Sequence, residues 1–249
     1  MAFSLTRQSF DRLASRLPHS CRRRVYRRMH RSFFWFVQDM NLGRSGEYSL
    51  GPFYESQSLF IHIPRTGGVS FCRALFGGLG AGHTTAGQYL ALLGAKDFSW
   101  YYKVAVIRNP YDRLHSAFEF LGRGGMNEAD RDYSERVLAR YSGFDDFVLN
   151  GLQQASQTQV HFVPQWRFVL DPRNNRVCTN RLIEFDELER GFEQVAARLG
   201  KDVELPKPNR RKAEPNAWHD ILSDEAKRQV RRIYLEDFER FGYDPEQGG

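Results

Sequence analysis

Two segments of this chain share one build, and together they leave few folds open. Each runs from an apolar strand through a polar turn into a helix. In the first, Leu59-Phe60-Ile61-His62-Ile63 is an apolar run of strand length and Pro64-Arg65-Thr66-Gly67-Gly68 is a loop. Residues 69–79 follow with helical spacing, Phe71, Cys72, Leu75 and Leu79 falling on one side. In the second, residues 102–107 form the strand and Arg108-Asn109-Pro110 the turn. Residues 111–121 form the helix, with Tyr111, Leu114, Phe118 and Leu121 in one stripe. Asn109 suits the N-cap and Pro110 the first helical position. Apolar runs of this kind belong to parallel strands covered on both faces, which need crossover helices between them. The expected fold is α/β and P-loop-like, three layers deep, with a central parallel sheet flanked by helices.

The rest of the chain can be placed around that core. A short helix is expected over residues 83–93 and a glycine-rich loop over 122–130. Helical stretches follow near 131–141 and 144–153. Residues 167–177 suggest a hairpin turning at Asp171-Pro172-Arg173-Asn174-Asn175. A strand over 181–185 and a helix over 186–199 come next, then a basic, proline-bearing loop over 201–216. Ser223 is the expected cap of the last helix, with Asp224 and Glu225 in its first turn. Ala226, Val230, Ile233, Tyr234, Asp237 and Phe241 share one face of that helix, Asp237 being its only charge. The 249 residues are thus assigned to a basic helical extension and linker, 1–50, and one main domain, 51–249. Residues 41–57, which cross that boundary, are patterned as linker.

The formal net charge of +6 is unevenly spread. Between Arg7 and Arg31 the single acid is Asp11, and the remainder of the chain is close to neutral. Net charge therefore gives no argument for a nucleic-acid partner. For residues 1–40 two roles stay open: a surface helix docked on the domain, or an interfacial helix making peripheral contact with an anionic membrane. No run of about 18 apolar residues exists, so no spanning helix is expected, and no signal peptide is apparent. Cys21, Cys72 and Cys178 are odd in number and form no Cys-x-x-Cys pair. A reducing compartment and a cytoplasmic location are the expectation. No metal is expected, since histidines and cysteines do not cluster at ligand spacing.

The chemistry concentrates in the two turns. Gly67 and Gly68 let backbone approach a ligand closely. The N–H groups at the start of the following helix favour an anion, and Arg65 adds a fixed charge with a planar donor fork. Thr66 and Ser70 add hydroxyls. No lysine follows the last glycine, so this is not a Walker A loop, and an ATP-using kinase loses its main support. Arg108 lies at the carboxyl end of the second strand, where α/β sheets place ligands. Ser116 lies one turn beyond Asp112 on the following helix, so that charge and hydroxyl can converge on one phosphate.

With both motifs in view, the chain resembles the sulfotransferases that use PAPS (3′-phosphoadenosine 5′-phosphosulfate), particularly the carbohydrate branch that includes the heparan and chondroitin enzymes and their bacterial relatives. The likeness runs from about residue 58 to 243. Pro64-Arg65-Thr66-Gly67-Gly68-Val69-Ser70 is similar to the family's 5′-phosphosulfate loop. Arg108-Asn109-Pro110-Tyr111-Asp112-Arg113-Leu114-His115-Ser116 is similar to its 3′-phosphate motif. The resemblance implies the sulfotransferase fold and transfer of a sulfuryl group from PAPS to an acceptor hydroxyl, on a saccharide or glycolipid, leaving PAP. It implies that Arg65, Thr66, Gly67, Gly68, Val69 and Ser70 hold the 5′-phosphosulfate, and that Arg108 and Ser116 hold the 3′-phosphate. Arg210, Arg211 and Lys212 fall where the family closes a late loop over the nucleotide. The stretch His161-Phe162-Val163-Pro164-Gln165 falls where relatives line the acceptor side.

The family's first loop usually carries lysine where this chain has Arg65. Arginine neutralises charge there but does not readily yield a proton to the departing oxygen. The acceptor must lose a proton, and His83 lies where relatives place a catalytic histidine. The alternative for His83 is a cap on the helix that begins near Thr84-Thr85. Two other classes remain as competing accounts: a nucleotide kinase, and a non-catalytic binder of anionic glycan.

Overall fold

The computed structural model describes Cys21, residues 47–206 and residues 217–246. Its elements run α1 (Gly51–Glu55), β1 (Ser58–Ile61), α2 (Gly68–Phe76), α3 (Ala86–Leu93), α4 (Ala95–Trp100), β2 (Tyr102–Ile107), α5 (Pro110–Gly122), α6 (Glu128–Arg136), α7 (Phe144–Asn150) and α8 (Leu152–Thr158). After these come α9 (Trp166–Val169), β3 (Leu170–Asp171), β4 (Arg176–Val177), β5 (Arg181–Glu184), α10 (Leu188–Arg198) and α11 (Asp224–Phe241). The expected helices of residues 1–40 and the basic residues Arg210, Arg211 and Lys212 lie outside the described residues. No helix among the described residues is long and apolar enough to cross a membrane.

The α/β fold is the one the sequence led us to expect: a three-stranded parallel sheet, ordered β1-β2-β5, with helices around it. Ser58 pairs with Tyr102 and Ile61 with Ala105. All of β1 is buried, as is β2 from Lys103 onward. That burial is the physical origin of the unbroken apolar runs.

The described residues fall into two compact units. The first comprises residues 47–63, 67–106 and 167–206, and holds the sheet. The Phe60 ring on β1 stacks on Phe71 of α2 at 4.8 Å, and Phe71 meets the edge of Phe192 on α10 at 5.2 Å. A Cβ on Gly191 would lie 2.4 Å from Ile183, so glycine lets α10 close onto β5. Residues 51–55 are not linker but helix. Pro52 lies in the first turn of α1, and Phe53 sets its ring 4.7 Å from Phe76 and 6.3 Å from Tyr89. Burying such a ring stabilises by about 1.5–3 kcal/mol, enough to order a weakly patterned segment. The hairpin is shorter than expected, Leu170 pairing with Val177 and Asp171 with Arg176, because residues 166–169 coil into α9.

The second unit comprises residues 64–66, 107–166 and 217–246. Asn109 caps α5 by accepting from the Tyr111 N–H, with Pro110 in the first turn, as its sequence indicates. The Ser223 hydroxyl likewise caps α11, accepting from the Ala226 N–H. The core stacks Tyr111 on Trp218 at 4.0 Å and Phe147 against Phe162 at 4.8 Å. From α11, Ala226, Val230, Tyr234 and Phe238 face inward, and so does the charged Asp237.

Candidate functional site: an arginine cluster and a histidine pair

Within the second unit, the residues picked out for phosphate gather around α5. Arg65 takes φ +69°, a left-handed conformation that costs a non-glycine residue about 1–2 kcal/mol. Its side chain turns to α5, where Nε and Nη2 both donate to the Ser116 hydroxyl, at 3.2 and 3.1 Å. The guanidinium lies 4.3 Å from the centre of the Phe120 ring. Burial, then Arg108, then Arg123 lower its pKa to about 10, which still leaves it charged at neutral pH. Thr66 beside it is fully buried.

Arg108 begins where β2 ends, and a residue the sequence did not single out for this purpose holds it there. The buried Gln165 accepts the Arg108 N–H at 2.9 Å and donates its amide to the Arg108 carbonyl at 2.8 Å. The side-chain amide thus continues the ladder for one residue past the strand. Gln165 is itself fixed by Asp237, which accepts the Gln165 N–H at 2.9 Å and the Trp166 N–H at 2.8 Å. From α5 the fully buried Arg113 donates to the carbonyls of His161 and Val163, at 3.1 and 2.8 Å. The stretch expected on the acceptor side therefore places its Gln165 against the Arg108 peptide. The one signal for this in the sequence is Asp237, a lone charge in the apolar face of α11.

Burial pushes the Asp237 carboxyl up to about 6, against Arg113 and the two N–H donors, which pull it down. The folded chain thus holds this proton between about pH 4 and 6, where the unfolded chain has released it. More protons bound in the folded state means that stability from this group falls as pH rises through the window, then levels off. Asp237→Asn should lose that slope. It should also be less stable throughout by about 1–3 kcal/mol, since its NH₂ would face a backbone N–H. Urea melts of both proteins from pH 4 to 7 test this: the gap between them should narrow as pH rises. A constant gap would refute the assignment.

Within the first unit, the glycine loop meets two histidines. Gly67 takes φ +79°, and a Cβ there would lie 2.8 Å from Leu188. A Cβ on Gly68 would lie 2.2 Å from the His62 ring, so bare backbone passes over that imidazole. Gly67 is the N-cap of α2 and brings no side-chain acceptor to its first N–H groups. Val69 and Ser70, in that first turn, are half-buried. His83 sets its ring 4.4 Å from His62, with Nδ1 3.0 Å from the His62 carbonyl oxygen. A carbonyl only accepts, so Nδ1 carries a proton, and the neutral tautomer that fits this contact has its lone pair on Nε2. The helix cap considered for His83 belongs to Thr85, whose hydroxyl accepts from the Gln88 N–H while Gln88 accepts from the Thr85 N–H. His115 packs on Phe144 at 5.0 Å, and burial lowers its pKa.

Arg65, Arg108 and Ser116 therefore come together in one unit. Gly67, Gly68, Val69, Ser70 and His83 belong to the other. Comparison with curated proteins and with solved structures returned no match. The description of the sulfotransferase family matches residues 88–244, from α3 to just past α11. It takes in Arg108, Ser116, Gln165 and Asp237, while the glycine loop and His83 lie just upstream. The match extends over more than half of the 249 residues and coincides with the strand, the turn and the helix that gather the arginines. By that match and that architecture, the chain belongs to the sulfotransferase family.

Proposed function

We propose that this sulfotransferase takes its sulfuryl group from PAPS and delivers it to a hydroxyl of a saccharide or glycolipid, with His83 as general base. The observation that carries the donor assignment is the grouping of Arg65 and Ser116 near Arg108. A half-buried cation whose electrostatic neighbours are further arginines is suited to an anion of more than one charge. The donor brings a reactive sulfuryl group on a 5′-phosphate and a separate 3′-phosphate for recognition.

The residues present fit that donor. Arg108 and Ser116 supply charge and hydroxyl to the 3′-phosphate. Thr66, Gly67, Gly68, Val69 and Ser70 supply backbone N–H groups and hydroxyls toward the 5′-phosphosulfate, and Arg65 is the loop's cation. Arg210, Arg211 and Lys212 would add cationic closure over the nucleotide. His83 accepts the acceptor's proton at Nε2 as the hydroxyl oxygen bonds to sulfur. The sulfur–oxygen bond to the 5′-phosphate breaks, and the electron pair leaves with PAP. The enzyme's share is positioning and charge stabilisation, as in phosphoryl transfer. The arginine-rich segment 1–40 suits an anionic membrane surface, where a glycolipid acceptor would be met.

Calorimetric titration with PAP in EDTA, with ATP as comparison, tests the donor. PAP should bind without metal and ATP only weakly. Magnesium-dependent ATP binding with no PAP binding would return the chain to nucleotide-kinase chemistry.

A further inference from the structure

Arg65 occupies the loop position whose usual lysine points toward the departing oxygen, yet its side chain does something else. Two nitrogens of one guanidinium converge on the Ser116 hydroxyl, at 3.2 and 3.1 Å. Four residues further along α5, the Phe120 ring lies beneath that guanidinium, its centre 4.3 Å from the guanidinium carbon. Hydroxyl and ring lie on one face of the helix at i and i+4. They hold Arg65 by a two-nitrogen fork on one hydroxyl, which a lysine ammonium cannot reproduce, and by a cation–π contact. The grip also draws the side chain from its loop to the helix that carries the expected 3′-phosphate contact.

We infer that Arg65 is a specificity-determining residue for the donor's 3′-phosphate, acting with Ser116 and Arg108, rather than an aid to the oxygen departing at the 5′ side. This rests on the PAPS assignment above. The fork keeps donors beyond the two spent on Ser116, since a guanidinium carries five N–H groups. Its electrostatic neighbours among the described residues are Arg108 and Arg123, which lower its pKa together with burial. A phosphate arriving between these cations reverses that mutual repulsion. Ser116 then accepts from Arg65 and donates its own hydroxyl proton to the phosphate, so the hydroxyl relays the arginine's orientation to the ligand. The left-handed backbone at Arg65 is consistent with a residue held for a function.

The test is calorimetric titration of PAP and of 5′-AMP, which lacks the 3′-phosphate, into the full chain and its Arg65→Lys, Ser116→Ala and double variants. Arg65→Lys should weaken PAP roughly tenfold to a hundredfold, the scale of lost charge-assisted hydrogen bonds. AMP should change by less than about threefold, since it lacks the 3′-phosphate that these groups are inferred to hold. The two single losses should not add in the double variant, because both residues serve one phosphate. In turnover assays the loss in kcat/KM should lie in KM for PAPS, as expected where an interaction is equal in ground and transition states. Ser116→Ala gives an independent reading of the PAP-over-AMP preference should the arginine variant not fold. Equal weakening of PAP and AMP, or a fall in kcat with the preference intact, would overturn the inference alone. Failure of the unaltered chain to prefer PAP over AMP would overturn the donor assignment as well.

Discussion

His83→Ala is expected to lower sulfuryl-transfer turnover by about 10²–10⁴-fold, the usual contribution of a positioned general base. Binding of PAP should stay within about threefold, because the base acts on the acceptor rather than on the nucleotide. The expectation rests on the tautomer: the His62 carbonyl accepts a hydrogen bond from His83 Nδ1, which leaves Nε2 as the basic nitrogen of the neutral ring. The same contact holds the His83 ring to the end of β1, so loss of activity must be separated from loss of fold. Thermal melting of the variant should remain cooperative, and added imidazole should restore part of the turnover. Near-normal turnover would remove His83 from the mechanism. Loss of turnover together with loss of cooperative melting would mean that the ring serves the fold.

Arg108→Ala should weaken PAP by about 10²–10³-fold, the scale for truncating one partner of a partly buried, hydrogen-bonded charge pair. Little destabilisation should accompany it. Both hydrogen bonds from Gln165 go to the Arg108 main chain, which alanine retains. This separates charge from position. Gln165→Leu would keep the guanidinium but leave the Arg108 peptide without its side-chain partner, and both PAP affinity and thermal stability should fall. Calorimetry and melting curves on the two variants give the comparison. Unchanged PAP affinity in Arg108→Ala would place the 3′-phosphate away from this arginine.

These predictions depend unequally on sequence and on structure. The strand, turn and helix of each motif, and the caps at Asn109 and Ser223, could be read directly, because capping and periodicity are set by near neighbours in the chain. The helix at residues 51–55 could not. Its Phe53 is held by Phe76 and Tyr89, and nothing adjacent in sequence announces them. The α4 helix was missed for a similar reason: it is six residues long and buries chiefly Phe98.

The same division runs through the site. Residue types and spacing were enough to name Arg65, Arg108 and Ser116, since glycine beside a strand end and an arginine at its tip are local patterns, whereas His83 was named through the family resemblance. Their partners were not local. Arg65 meets Ser116 across 51 positions, Gln165 meets Arg108 across 57, and Asp237 meets Gln165 across 72. Each of those meetings depends on how distant helices pack. The sequence by itself determined which polar and charged groups stand at the two turns and on what local backbone they stand. Only the tertiary structure decided that Arg65 turns to Ser116, that Gln165 holds the Arg108 peptide and that the His62 carbonyl accepts from His83 Nδ1. The reason is physical: backbone preference acts over one or two turns of chain, whereas a hydrogen bond acts over about 3 Å of space, whatever the separation in sequence.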